Sequence, residues 1–436
     1  MNLRLRVLFI LLFFLIISSS FAQKDPKKIE SEKPWAIGLT VRTATIPFAV
    51  EGSKAVVSVV PMLFFKGKYF YMRGIEGGVK FYKTDNWDLT AFGRLHFFDF
   101  PEEYQNLIQG DNVDWGLRYN YNLTDWSFAD FEILSDWDGN VSSNLHLGYR
   151  KETKRFRFDS YFELKWKSKK YNSHFFGLDT LDVNSGLDFS LGLITDYYVT
   201  SNFYLFAAAE LTLLGKNTRD VSFINNNMMG EAFVGFGFSN DRTKPRKKKL
   251  ENKPYIRVAQ GFATPSDLSN ILKFKAEPDS NHNKMTSIFY GHPLTDRLFG
   301  IPIHIYMNAG FVFHWPSDVQ DHAEEVDLAI KLYYTIPWPI RWRLGAAEGF
   351  SYVNNVPYVE KNELLNKGYV PSKLMNHLDF SVDFNFGDIF GSETLKHLWI
   401  GYAIHHRSSI FETAQQFGRI SGGSNFQTFY FLWDLY

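Results

Sequence analysis

The segment Leu398–Ser409, LWIGYAIHHRSS, holds the residues of this chain whose types and spacing best suit chemistry. In an extended strand successive side chains point to opposite faces, so His406 and Ser408 continue the face of the apolar residues before them. His405 and Arg407 fall on the other face. A histidine and a serine two residues apart on one face suit a general base beside a nucleophile. The structural alternative is a solvated strand end without a chemical role.

The start of the chain predicts export. Two arginines precede the short apolar run Val7–Ile17, and small residues precede Gln23 at the positions that favour cleavage. The run is shorter than the ~20 residues that a membrane-spanning helix needs. We therefore expect a signal peptide over residues 1–22 and a flexible periplasmic lead over residues 23–34.

The composition limits the partners and the size of the fold. The net charge of +0 argues against nucleic acid as a partner, and the absence of cysteine means that no disulfide supports the fold. The 436 residues suffice for two domains or one large barrel. The aromatic content of 18% is consistent with the aromatic girdles of outer-membrane barrels.

Apolar and polar residues alternate with period two along many segments. The clearest segments are Val113–Tyr121, Phe156–Trp166, Leu187–Leu193, Phe203–Leu213 and Leu378–Phe386. This pattern is typical of strands with lipid on one side and water on the other. A secreted β-sandwich is the alternative, but the apolar faces are rich in aromatics and many segments reach the roughly ten residues of a membrane strand. The predicted fold is all-β, with transmembrane antiparallel β-barrels in the outer membrane.

A basic stretch without periodicity, Ser239–Lys253, divides the alternating segments into two groups. We interpret residues 239–253 as a periplasmic linker between a barrel over residues 35–238 and a second barrel over residues 254–436. Two barrels in tandem is the simplest prediction. One larger barrel with a long periplasmic turn is the alternative.

The first half resembles the MipA/OmpV family over about residues 35–238. The resemblance rests on Ile46–Phe48, Glu51–Ser53, Pro61–Phe65 and Tyr171–Leu178. These motifs are structural and none is catalytic. The resemblance implies an outer-membrane barrel, and some members of the family scaffold cell-wall enzymes.

The end of the second half is similar to PagL-like lipid A deacylases and their acyloxyacyl-hydrolase-like relatives. The similarity rests on His405–Ser409 and Gly422–Asn425. It implies that His406 is the base and Ser408 the nucleophile on the lipid-facing outside of a small barrel. In that family the pair cuts an ester-linked acyl chain from lipid A.

A third group must orient the histidine, and the family supplies a glutamate about a dozen residues after the serine. This sequence has no glutamate there, so Glu348 and Glu412 are the candidates. The final strand should end in the periplasm, which places His406 and Ser408 near the outer leaflet, where lipid A resides.

Two functions follow as hypotheses. One is a lipid A esterase in the second barrel, with outer-membrane lipid as its partner. The other is a non-catalytic envelope barrel, either a scaffold for periplasmic cell-wall enzymes or a small pore. Four histidines of the second half have no metal-ligand spacing, so the sequence predicts no metal and no cofactor; they are His292, His304, His314 and His322.

Overall fold

The computed structural model of this protein contains two closed antiparallel β-barrels, one of twelve and one of eight strands. It describes residues 35–49, 54–100, 112–240, 250–298, 300–408 and 422–435. The predicted all-β fold with two barrels in tandem is confirmed, and the alternative of one larger barrel is wrong. The predicted signal peptide, the lead, residues 241–249 of the linker and Glu412 lie outside the described residues.

The first barrel follows chain order around its circumference, and its first strand closes it by pairing with its last, with Ile37 opposite Phe238. Its strands are β1 (Trp35–Thr45), β2 (Ala55–Lys66), β3 (Phe70–Gly74), β4 (Glu76–Lys83), β5 (Trp87–His96), β6 (Asn112–Asn122), β7 (Ser127–Ser135), β8 (Val141–Glu152), β9 (Phe156–Lys167), β10 (Gly186–Tyr198), β11 (Phe203–Leu213) and β12 (Met228–Ser239).

The second barrel is built in the same way, and it closes with Val258 opposite Phe431. Its strands are β13 (Tyr255–Thr264), β14 (Lys284–Thr295), β15 (Ile303–His314), β16 (Ala323–Ile336), β17 (Trp342–Val353), β18 (Leu374–Asn385), β19 (Leu398–Ser408) and β20 (Gly423–Asp434).

Short helices lie in the connections of both barrels. They are α1 (Lys169–Phe175), α2 (Lys216–Arg219), α3 (Leu268–Leu272), α4 (Tyr358–Asn366), α5 (Phe386–Phe390) and a 3-10 turn at Glu393–Leu395. Within the described ranges, no helix combines the length and the apolar character that crossing a bilayer requires.

The alternation in the sequence places apolar side chains outside the barrels and polar ones inside. On β10, Leu187 and Phe189 are 48% and 44% exposed, whereas Asp188 and Ser190, which alternate with them, are buried in the lumen. On β20, Phe431 is exposed in the same way. An apolar outer band around a polar lumen is the arrangement that a lipid bilayer stabilises.

The two ends of the barrels differ. Most connections at the end that holds the barrel termini are short turns, such as residues 153–155 and 199–202, and those at the other end are longer and carry α1 to α4. Outer-membrane barrels have short periplasmic turns and long extracellular loops, so the end that holds the first and last strand ends of each barrel faces the periplasm.

The barrels pack side by side along their outer faces. Trp35 and Leu63 of the first barrel join Ile305 and Ile330 of the second in one buried apolar cluster. Near the outer end, the rings of Trp137 and Tyr352 stack with centroids 6.5 Å apart.

Candidate functional site

Strand β19 carries the residues singled out from the sequence, and its two faces have different environments. His405 and Arg407 are buried in the lumen, at 1% and 0% exposure. His406 and Ser408 lie on the outer face at the extracellular end of the strand, opposite Asn425 and Gly423 of β20. The pleat thus separates the two pairs as the alternation predicts.

His406 is held by an amide. Its Nδ1 lies 2.7 Å from Oδ1 of Asn425, and Nδ2 of Asn425 donates to the carbonyl oxygen of Ser266 over 3.0 Å. Because that second bond turns the amide oxygen toward the imidazole, Nδ1 of His406 must donate. The neutral ring then keeps Nε2 as a proton acceptor, which is the form a general base needs.

The described residues bring His406 and Ser408 to one face but supply no carboxylate to His406. Among them, no hydrogen bond joins His406 to Ser408, and Ser408 is only 9% exposed. Glu348 is opposite Leu378, which is in turn opposite His406, so β18 stands between the two side chains. Neighbouring strands are about 4.8 Å apart, and two such spacings separate Glu348 from His406. This separation puts the Glu348 carboxylate beyond hydrogen-bond reach of His406. Glu412 lies outside the described residues.

Glu348 instead faces the other barrel. It lines a groove of about 290 Å³ together with Ile37, Leu39 and Leu63 of the first barrel. The carboxylate is thus part of the seam between the barrels.

A cluster in the lumen of the second barrel was missed from the sequence. Glu325, Asp327, His377 and His405 are all buried, and one ligand atom from each lies within 4.8 Å of the others. The signal available in the sequence was the alternation of Glu325 and Asp327 with apolar residues, which places both carboxylates in the lumen. Their proximity to the two histidines depends on how the barrel closes.

The lumen of the first barrel is crossed by ion pairs. Arg118 donates to Glu132 over 2.6 Å and to Glu76 over 2.8 Å, and Arg94 donates to the same two carboxylates over 2.9 and 3.0 Å. Glu76, Arg94 and Glu132 line a cavity of about 450 Å³. Each of these charges therefore has a partner of opposite charge inside the barrel.

The outer end of this lumen is filled by apolar side chains from the extracellular loops and from the adjoining ends of β1 and β2. They form one buried cluster that contains Ala44, Ile46, Phe48, Val56, Phe100, Val183, Leu214, Val221 and Ile224. At the periplasmic end the cavity reaches Arg150, whose side chain is 45% exposed. The cavity is therefore covered on the extracellular side and reaches solvent near the periplasmic turns.

Residues 37–240 match the family model described as MltA-interacting protein MipA. No curated protein matches the chain.

Three solved structures illustrate the likeness to known folds. A bacterial polysaccharide outer membrane secretin is 9% identical, with 93% of this chain and 99% of that chain covered and a TM-score of 0.24. OccK11 (OpdR) of Pseudomonas aeruginosa is 8% identical over 92% and 94% of the two chains, with a TM-score of 0.25. LpxR from Salmonella typhimurium is 9% identical over 67% and 88%, with a TM-score of 0.18. TM-scores this low do not support assigning this chain the function of any of these proteins.

The family match ends with the first barrel and does not extend to the second. The apolar outer faces of both barrels and the family match agree on the outer membrane as the location. This chain is thus an outer-membrane β-barrel protein whose first barrel, over residues 37–240, matches the MipA family model.

Proposed function

We propose that this protein is a non-catalytic scaffold whose first barrel holds an MltA-type cell-wall enzyme at its periplasmic end. The family description supplies the class of partner. The observation that carries the proposal is the apolar cluster around Phe48 and Phe100, which covers the extracellular side of the lumen. A barrel whose lumen is covered on the extracellular side and open toward the periplasm is better suited to docking a periplasmic partner than to forming a pore.

The periplasmic turns of the first barrel give the docking surface its charge. Basic side chains outnumber acidic ones on these turns: Lys66, Lys68, Lys83, Lys151, Lys154 and Arg155 against Asp85, Asp125 and Glu152. Lys68 and Lys154 are exposed. A basic rim favours a partner with an acidic surface, and such complementarity acts mainly on the rate of association and on specificity.

Binding of a purified MltA-type enzyme to the full-length protein in detergent tests this proposal. Charge reversal by Lys68→Glu with Lys154→Glu should raise Kd at least about tenfold, which corresponds to ~1.4 kcal/mol. The matched control, Lys216→Glu with Arg219→Glu, reverses two exposed charges on α2 at the other end of the barrel and should leave Kd unchanged. Absence of binding by the folded wild type, or equal Kd values for both double variants, would reject the scaffold.

A second candidate function, ester hydrolysis on the outer face of β19, is favoured by the contact between His406 and Asn425. In this proposal Nε2 of His406 takes the proton of Ser408 while Oγ of Ser408 attacks an ester carbonyl of lipid A. The proton then passes to the alkoxide that leaves as the acyl–oxygen bond breaks, and a water activated by His406 frees the acyl chain from Ser408. The Asn425 amide orients the imidazole, a task that an asparagine also performs in Cys-His-Asn proteases. Of the two carboxylates predicted for this role from the sequence, Glu412 lies outside the described residues and Glu348 would have to reach past β18.

Mass spectrometry of lipid A from cells that express each variant tests the second candidate. Loss of an acyl chain is expected with the wild type and not with Ser408→Ala or His406→Ala, because removing either member disables such a unit. Tyr402→Phe is the control, since Tyr402 shares the outer face of β19 and contacts Gln427 rather than His406. Unchanged lipid A in cells with folded wild-type protein in the outer membrane would discard the esterase.

A further inference from the structure

The cluster of Glu325, Asp327, His377 and His405 lies on the inner wall of the second barrel, away from the outer face that carries His406 and Ser408. Strand β16 contributes both carboxylates, and β18 and β19 contribute one histidine each. The rings of His377 and His405 are 4.6 Å apart, and Nδ1 of His377 is 3.8 Å from Oδ2 of Asp327. Three strands thus direct nitrogen and oxygen atoms toward one point.

Several of these atoms have no hydrogen-bond partner in the described part of the chain. They are both carboxylate oxygens of Asp327, both ring nitrogens of His377 and Nδ1 of His405. The three side chains are at most 1% exposed. A buried polar atom without a partner costs about 1–3 kcal/mol, so a group of them indicates an ordered water or an ion.

The charges of the cluster favour a cation. Glu325 and Asp327 bring two carboxylates into the lumen, and the guanidinium of Arg407 is 3.7 Å from Glu325. Arg407 also donates to Glu360 over 2.8 Å, so its charge is shared with a third carboxylate. Buried negative charge without full compensation is strongly unfavourable, and a bound divalent ion would supply what is missing.

Glu325 is held in place by residues around the cluster. His314 lies 2.6 Å from its Oε2, and Ser351 donates to its Oε1 over 2.6 Å. Arg407 in turn donates to the Ser351 hydroxyl over 2.8 Å. Such outer contacts orient ligands in natural metal sites and are part of their affinity.

We propose that Glu325, Asp327, His377 and His405 form a structural site for a divalent transition metal, with Zn²⁺ the best match. Two imidazole nitrogens and two carboxylate oxygens are ligands that zinc accepts in four-coordinate geometry, whereas Ca²⁺ and Mg²⁺ prefer oxygen alone. The ligands have no exposed surface from which substrate could approach. The ion therefore joins β16, β18 and β19 across the lumen instead of serving catalysis.

The metal content of the full-length protein is the direct test. The protein is purified in detergent through a tag without histidine, stripped with a chelator, reloaded with equimolar Zn²⁺ or Co²⁺ and measured by mass spectrometry of the metal. We expect about one ion per chain, with visible bands of four-coordinate Co²⁺ in the cobalt form. X-ray absorption at the zinc edge should show two imidazoles among the ligands.

Two ligand variants and one matched control sharpen the test. His377→Gln and Asp327→Asn should lower metal affinity by at least about 10–100-fold. Mutating a residue that only hydrogen-bonds to a metal ligand already causes a loss of this size. His304→Gln should retain the ion, because His304 lies on the lumen face of β15 near its periplasmic end, far from the cluster.

Heat-modifiable gel mobility reports whether each variant has folded. Where a ligand variant does not fold, the absorption spectrum of the wild type decides, since it must contain two imidazoles. A metal content of the folded, reloaded wild type no higher than that of the buffer would overturn the proposal. Full retention of the ion by folded His377→Gln would also overturn it.

Discussion

Nη1 of Arg407 donates to Oε2 of Glu360 over 2.8 Å, and neither side chain is exposed. Arg407 belongs to the wall strand β19, whereas Glu360 belongs to α4 in the extracellular connection between β17 and β18. Ser424 of β20 donates to the same carboxylate oxygen over 3.1 Å. The pair thus fastens the loop helix into the outer mouth of the second barrel.

Removing the arginine should destabilise the second barrel. Arg407→Met leaves Glu360 without its cation and takes a donor from Ser351, and breaking one side of a buried pair costs about 3–5 kcal/mol. Urea unfolding in detergent micelles, followed by tryptophan fluorescence, measures the change in the free energy of unfolding. Arg297→Met, at an exposed arginine of the β14–β15 connection, is the control. A loss below about 1 kcal/mol for Arg407→Met would contradict this assignment.

The docking of α4 should depend on pH. Burial raises the pKa of Glu360 to about 7 from an ordinary value of 4.5, although Arg407 opposes the shift. The docked helix therefore binds the proton more tightly than the undocked one. The stabilisation is fully present below about pH 4.5 and is lost as the pH rises through about 7.

Hydrogen exchange of the amides of residues 358–366, corrected for intrinsic rates, follows this docking between pH 5.5 and 8.5. Protection should fall toward the upper end in the wild type. Glu360→Gln should abolish the dependence, and Glu363→Gln, on the same helix, should preserve it. A wild-type pH profile retained in Glu360→Gln would assign the effect to another group.

The extracellular cover of the first barrel can be tested electrically. Phe48 and Phe100 contact each other in the apolar cluster, with ring centroids 4.7 Å apart. Phe48→Ala with Phe100→Ala removes that packing above a polar lumen, so it should raise single-channel conductance in planar bilayers above the low wild-type level. Phe431→Ala, on the lipid-facing side of the other barrel, is the control. Equal conductance of the double variant and the wild type would contradict the cover.

Contact between the barrels should be open to cross-linking, because the chain has no cysteine of its own. Cysteines at Trp137 and Tyr352, whose rings are 6.5 Å apart, should react with a short bismaleimide. After cleavage at a protease site placed in residues 241–249, the two halves should then migrate as one band. Cysteines at Trp126 and Tyr352 lie at opposite ends of the barrels and should give separate bands. Separate bands from the first pair would exclude this packing.

Strand faces were predictable because one side of each strand meets lipid. The alternation alone assigned Leu187 and Phe189 to the outside, and it placed His405 and His406 on opposite faces of β19. A register slip of one residue would move the apolar side chains into the lumen and the polar ones into lipid. Because this exchange is so unfavourable, the period-two alternation of the sequence identifies the faces reliably.

Contacts across a lumen were not predictable in the same way. Glu325 and His405 are 80 positions apart, and Nε2 of His405 lies 3.0 Å from Oε1 of Glu325 because eight strands close with a particular stagger. Strand number and stagger determine which inner residues meet, and local periodicity reports neither. The contact of His406 with Asn425 depends likewise on the register of a hairpin.

The linker and the apolar seam have a consequence for the membrane as a whole. Because both barrels belong to one chain and Leu63 and Ile305 share an apolar cluster along their flanks, every copy of the first barrel arrives with one copy of the second. Their stoichiometry is set during translation and does not depend on separate expression levels. Lateral diffusion then carries both barrels as a single body.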